Sequence, residues 1–188
     1  MAGAGKRAGS AYVALLRAIN VGGKNSLPMK ELVAMFEAAG CADVTSYIQS
    51  GNVVFRASET RAARVPGLVA TAIAARLGCP IPVVVRAAAE LHAVASANPF
   101  LRAGAEPKAL HVMFLADRPA PAMIAALDPR RSPPDQFTVS GREIYLHCPD
   151  GIGRSKLTND YFERRLATSG TARNWRTVLK LIEMTGAP

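Results

Sequence analysis

Short apolar runs alternate with stripes at helical spacing along the chain, and each run predicts one element. Tyr12–Ala18 is apolar and alternating, which predicts a strand. Pro28–Ala39 carries Met29, Leu32, Val33 and Phe36 at helical intervals, and Gly40 ends it. Val44–Gln49 and Asn52–Arg56 read as two strands joined at Ser50-Gly51, a tight-turn signal. Val65–Leu77 sets Leu68, Val69, Ala72, Ile73, Arg76 and Leu77 in a helical stripe stopped by Gly78. Pro82–Arg86 is a β-branched run. The order is strand, helix, strand, strand, helix, strand, the split βαβ or ferredoxin-like unit.

The order then recurs. After a connecting helix at Ala88–Ala97, His111–Ala116 reads as a strand and Ala120–Leu127 as a helix. Gln136–Val139 and Arg142–Cys148 are strands joined at Ser140-Gly141, Ser155–Ala167 is a helix, Thr171–Asn174 a short strand and Thr177–Thr185 a last helix. The serine-glycine hairpins fall at matching points of the two halves. The pattern therefore predicts an α+β chain of two tandem ferredoxin-like (βαββαβ, α/β-plait) units plus a C-terminal helix. Residues 1–10 form a loose tail, 11–87 the first unit, 88–109 a connecting helix and linker, and 110–188 the second unit with the terminal helix.

Composition narrows the classes. Of 188 residues, 49% are hydrophobic and 20% charged, an ordinary globular mix that argues against disorder. The best membrane candidate, 11–21, is too short and is cut by Arg17, so no membrane association is expected. The first ten residues lack the apolar core of a signal peptide. Cys41, Cys79 and Cys148 are odd in number and widely spaced, which speaks against a disulfide framework or a zinc site and fits a reducing cytoplasm. No cofactor or metal is implied. Net charge is +9, and the densest basic stretch holds Arg154, Lys156, Arg164, Arg165, Arg173, Arg176 and Lys180 against Asp160 and Glu163. Such an excess attracts anionic partners; it also describes a plain solvated surface.

Twice an apolar strand runs into a polar, glycine-framed turn. The first turn offers Arg17, Asn20, Gly22, Gly23, Lys24 and Asn25. Glycine amides beside a lysine suit a phosphate or carboxylate. The G-x-x-x-x-G-K-[ST] loop is not met, because Ala18 and Asn25 stand where Gly and Ser or Thr belong. The second turn, Gly151-Ile152-Gly153-Arg154-Ser155-Lys156, leads into a helix with Ser155 as its expected N-cap and Asn159 in its first turn. Arg173 and Asn174 precede Trp175, the single tryptophan. Gln49, Ser50 and Asn52 are turn residues that gain interest only near Lys24. The acid/base candidates are His147 and Asp150; His147 and Cys148, as strand neighbours, should face opposite ways. An RNA-binding sheet of the same strand order needs third-strand aromatics, and only Phe55 and Tyr145 offer rings there.

Several segments together resemble one bacterial family, catalogued as domain of unknown function 1697. They are Tyr12 to Asn25, Tyr47 to Phe55, Tyr145 to Gly151, Gly153 to Asn159 and Arg173 to Val178. Ala18 departs from the glycine usual in that family. The resemblance implies a tandem α/β-plait fold and no established activity. Taken together, these readings lead to an expectation of a cytoplasmic protein that binds a phosphate-bearing partner, a nucleotide or nucleic acid. A small-molecule transferase or hydrolase acting on a phosphorylated substrate, and a purely structural role for the polar motifs, are the alternatives. The sequence leaves the oligomeric state open.

Overall fold

A computed structural model describes residues 9–20, 22 and 25–186. The expected tail at 1–10 falls mostly outside the described residues, as do Gly23 and Lys24. The chain is α+β and divides into two compact units. One takes in the chain up to Glu90 and resumes at Glu183; the other is Leu91–Ile182.

In the first unit the order is β1 (Ser10–Leu16), α1 (Met29–Ala38), β2 (Ala42–Tyr47), β3 (Asn52–Ala57), α2 (Glu59–Leu77) and β4 (Val83–Ala87). The four strands form one sheet in the order β2-β3-β1-β4, and every neighbouring pair is antiparallel. One face carries Ala14, Leu16, Val53 and Phe55 against Leu32 and Phe36 of α1 and Val65, Val69 and Ile73 of α2. The Phe36 and Phe55 rings lie 5.4 Å apart. Each such side chain taken from water contributes about 1.5–3 kcal/mol, so this face holds the unit together.

The chain continues through α3 (Ala88–Ala97) and α4 (Pro99–Arg102). The second unit then sets out β5 (Leu110–Leu115), α5 (Pro121–Ala125), β6 (Gln136–Ser140), β7 (Glu143–His147), α6 (Asn159–Leu166) and β8 (Gly170–Asn174), followed by α7 (Trp175–Thr185). Its sheet runs β6-β7-β5-β8, again antiparallel throughout. Met113, Leu115, Ile144, Leu146, Cys148, Phe162 and Leu166 share its core.

Element boundaries differ from the sequence expectation where two signals compete. α2 begins two turns earlier than the apolar stripe implied, because the Ser58 hydroxyl accepts the Arg61 N–H and starts the helix ahead of Pro66. β1 stops at Leu16 rather than Ala18, which adopts a left-handed φ of 50°. Within the expected linker the chain forms a further helix, α4, which Asn98 caps: its Oδ1 accepts from the Phe100 and Leu101 N–H groups. α6 starts at Asn159 instead of Ser155, since Thr158 takes the cap and accepts the Tyr161 N–H at 3.2 Å.

Gly51 is a point where no other residue fits. Its φ is +72°, and an added Cβ would lie 2.7 Å from Leu16 Cβ and 3.0 Å from Ile19 Cγ1. Gly22 shares the left-handed conformation, with open space around it. Gly51→Ala is expected to lower the unfolding free energy by roughly 2–4 kcal/mol, through backbone strain plus overpacking. Gly22→Ala should lose only the strain part, about 1–2 kcal/mol. Urea denaturation of both variants checks this; equal losses would show that packing under the β2–β3 turn is not tight.

Candidate functional site

In the first unit Asn20, Asn25, Ser50 and Asn52 are used internally. Asn20 clamps Leu27, its Oδ1 accepting the Leu27 N–H at 2.8 Å and its Nδ2 donating to the Leu27 carbonyl at 2.9 Å. Asn25 Nδ2 donates to the Ala18 carbonyl at 3.0 Å, and its Oδ1 accepts from the Cys79 thiol at 3.6 Å. Asn52 is fully buried and donates to Ser50 Oγ and the Tyr47 carbonyl. Ala18, Asn20, Asn25 and Ile48 all hold positive φ in the two loops that meet the end of β1. Asparagine tolerates that region, while alanine and a β-branched residue are strained in it. Arg17 is half-buried and Gln49 exposed at the hairpin tip.

The second polar turn has a different place in its sheet. The first follows β1, a central strand; the second follows β7, which runs antiparallel to the central β5. Each therefore sits at the opposite end of its own sheet with respect to the central strand. Gly151, at φ 87°, leads into a short 3-10 turn at Ile152–Arg154. Ser155 Oγ accepts the Leu157 N–H, and the Lys156 N–H donates to Ser132 Oγ at 3.0 Å. Ser132 in turn donates to Asp135. The Arg154 and Lys156 side chains are exposed and Asn159 is half-buried at the first position of α6.

Those ties draw the 128–135 loop against the start of α6. The Asp128 N–H donates to Tyr161 Oη at 3.1 Å, and the Arg131 guanidinium lies 4.4 Å from the Tyr161 ring centroid. A recess of about 400 Å³ results, lined by Arg131, Thr158, Asp160, Tyr161, Arg164 and Arg165. None of its three arginines forms an ion pair with a described carboxylate. Arg164 and Arg165 already stood out in the basic stretch of the sequence. Arg131 did not, and only the fold carries it to them.

Arg173 and Asn174 do not join this recess. Arg173 is buried; its Nη1 donates to Thr171 Oγ1 at 2.7 Å and to the Ala172 carbonyl at 2.8 Å, and burial lowers its pKa to about 10. Asn174 Oδ1 accepts the Thr177 N–H and caps α7, whose first residue Trp175 is buried. Both third-strand rings are covered: Phe55 packs in its core, and Tyr145 donates to the Val94 carbonyl, its pKa pushed up to about 12 by burial. Neither sheet offers them as a stacking platform.

His147 rests on Phe100, with ring centroids 5.7 Å apart, and Asp150 is exposed in the turn beyond it. Cys148 is fully buried with the core face of the sheet, and burial raises its pKa to about 11. Cys41 is buried as well and its pKa is raised by the same cause. Among the described residues, no group of three or more His, Cys, Asp or Glu is placed to hold a metal. No described helix is long and apolar enough to cross a membrane.

Two solution checks follow from these environments. Because the thiolate is the reactive form, an aromatic disulfide reagent at neutral pH should titrate Cys79 in the folded protein and reach Cys41 and Cys148 only on unfolding. Rapid reaction of all three would contradict the burial. His111 is buried on β5, and desolvation lowers its pKa. Its contribution is thus complete above the ordinary histidine value of about 6.5 and is lost as pH falls through the lower folded value. His111→Gln should flatten the acid limb of the stability profile; an unchanged limb would remove His111 as its cause.

No curated protein matches the chain. The structure of conserved bacterial protein SP0830 from Streptococcus pneumoniae is similar, with 21% identity, a TM-score of 0.71, and 94% of this chain and 98% of that chain covered. That likeness speaks for the fold alone. A family model described as "Protein of unknown function (DUF1697)" matches residues 10–145, well over half the chain. The chain therefore belongs to the DUF1697 family of proteins of unknown function.

Proposed function

We propose that this protein binds a phosphate-bearing ligand, a nucleotide or nucleic acid, at the arginine recess of its second unit. The observation that carries the reading is the set of Arg131, Arg164 and Arg165 around one recess, without an ion pair to any described carboxylate. Three guanidiniums and a single carboxylate, that of Asp160, line the recess, which leaves a positive excess that an anion relieves while accepting charge-assisted hydrogen bonds. Guanidinium groups match phosphate oxygens in pairs, which a lysine cannot do. The recess borders the first turn of α6, whose amides carry partial positive charge. Arg154 and Lys156 stand exposed just upstream in sequence, and the overall charge of +9 favours approach of an anion.

A second reading applies to the first unit. There Asn20, Asn25, Ser50 and Asn52 are joined by hydrogen bonds to the loops around them, so these residues fasten the end of β1. We assign them to structure and the recess to binding. We also take each unit to be a ferredoxin-like plait in a cytoplasmic protein, with 11–87 and 110–188 as the repeats and 88–109 between them. The strand orders β2-β3-β1-β4 and β6-β7-β5-β8 support the plait.

The test is binding of pyrophosphate, AMP and a single-stranded oligonucleotide, read by calorimetry or fluorescence anisotropy. At least one should bind saturably. Arg131→Ala/Arg164→Ala/Arg165→Ala should weaken it at least tenfold, about 1.4 kcal/mol, while circular dichroism stays unchanged because all three side chains are exposed. A nucleic acid would show a steep fall of affinity with salt and a small nucleotide a shallow one. Full affinity in the triple variant would refute the recess as the site, and no binding of any of the three would refute the reading itself.

A further inference from the structure

We propose that the groove between α1 and α2 docks an acidic amphipathic helix from a partner protein. This inference is independent of the phosphate reading and lies wholly within the first unit.

Val65, Val69 and Ile73 of α2 are spent on the core, but Leu68 points away from it and stays 39% exposed. With Arg61, Arg64 and Ala72 it forms a stripe at three- and four-residue intervals, one face of the helix. The stripe runs about 16 Å at 1.5 Å per residue, roughly three turns. Ala34, Met35 and Ala38 of α1 supply the facing wall, and the groove between them encloses about 570 Å³. Small side chains on both walls allow a helix backbone to come close, with Met35 and Leu68 as apolar contacts.

Charge decides what kind of helix. Arg61 and Arg64 line the groove without an ion pair to any described carboxylate. The one carboxylate in the lining, Glu31, is engaged by Arg76 at 2.8 and 3.4 Å. The groove thus combines apolar contacts from Met35, Leu68 and the alanines with the positive charge of Arg61 and Arg64 toward one end. Helix-in-groove recognition uses apolar anchors at i, i+3, i+4 and i+7, and here the residues flanking those anchors must be Asp or Glu. A second copy of this chain is a poor occupant, because two molecules of net charge +9 repel each other.

The probe is a helix-stapled acidic peptide of about twelve residues, with leucines at the anchor positions and glutamates between them. Its controls are the same peptide with lysines for glutamates and a scrambled acidic peptide. Anisotropy should show saturable binding of the acidic peptide, weakening as salt rises, and at least tenfold weaker binding of both controls. Arg61→Glu/Arg64→Glu and, separately, Leu68→Glu should each lower affinity at least tenfold. Leu68 and both arginines are exposed, so circular dichroism and urea midpoints should stay close to wild type. Absence of saturable binding at millimolar peptide, equal binding of the lysine peptide, or indifference to both variants would each overturn the proposal. So would a wild-type dimer in sedimentation that Leu68→Glu dissociates, since a second copy would then hold the groove.

Discussion

Each sheet depends on a central strand that is hydrogen-bonded along both edges while its side chains are buried on both faces. β5 is buried from Leu110 to Leu115, and β1 from Val13 to Leu16. Backbone groups at such depth have no water to turn to, so each strand must pair with two neighbours. β1 does so with β3 and β4, β5 with β7 and β8. This fixes what meets at each end of a sheet. Leu15 lies opposite Asn52 and Leu16 opposite Val83, which delivers the β2–β3 turn and the start of β4 to the point where β1 ends. Gly51 packs beneath Leu16 there because only a residue without a Cβ fits. The polar side chains of that corner then satisfy the loops that converge on it.

The same constraint sorts the cations. On β8, beside the central strand, Arg173 is drawn into the interior, where it is hydrogen-bonded and its pKa falls. A basic residue on a loop or an outer helix face keeps its charge at the surface, as Arg131, Arg164 and Arg165 do. Net charge alone says nothing of this division, although it decides which cations can meet a ligand without first disrupting the fold.

The order of elements was legible because apolar runs end at strong punctuation: Gly40, Ser50-Gly51, Gly78 and Ser140-Gly141 each close or turn an element. Helix starts were less legible. Ser155 and Thr158 are both good caps three residues apart; the Ser155 hydroxyl serves the local turn at Leu157 and leaves the helix to Thr158. The glycine-framed turns were visible as polar segments, but their use was not, since Asn20 and Asn52 spend their amides on backbone partners that sequence does not place. The recess was the hardest feature to read. Arg131 and Arg164 are far apart along the chain, and what unites them is a hydrogen bond from Asp128 to Tyr161 and a loop held by Ser132. Periodicity carries no trace of either.

Arg86 and Arg173 show how far the likeness of the two halves extends beyond strand order. Arg86 stands on β4 opposite Val13 of the central β1; Arg173 stands on β8 opposite Val112 of the central β5. They are 1% and 9% exposed, and each donates through Nη1 to the carbonyl of the residue just before it. Burying a guanidinium is unfavourable enough that it does not recur by indifference. Its recurrence at one register position, each time with the preceding carbonyl among its partners, ties it to the sheet itself. Arg173 is thereby tied to the sheet on grounds other than its burial. A residue whose counterpart does the same thing in the other half serves the repeated architecture. A ligand site is better sought where the halves differ, and Arg131, Arg164 and Arg165 line a recess of the second half whose walls are its own 128–135 loop and α6.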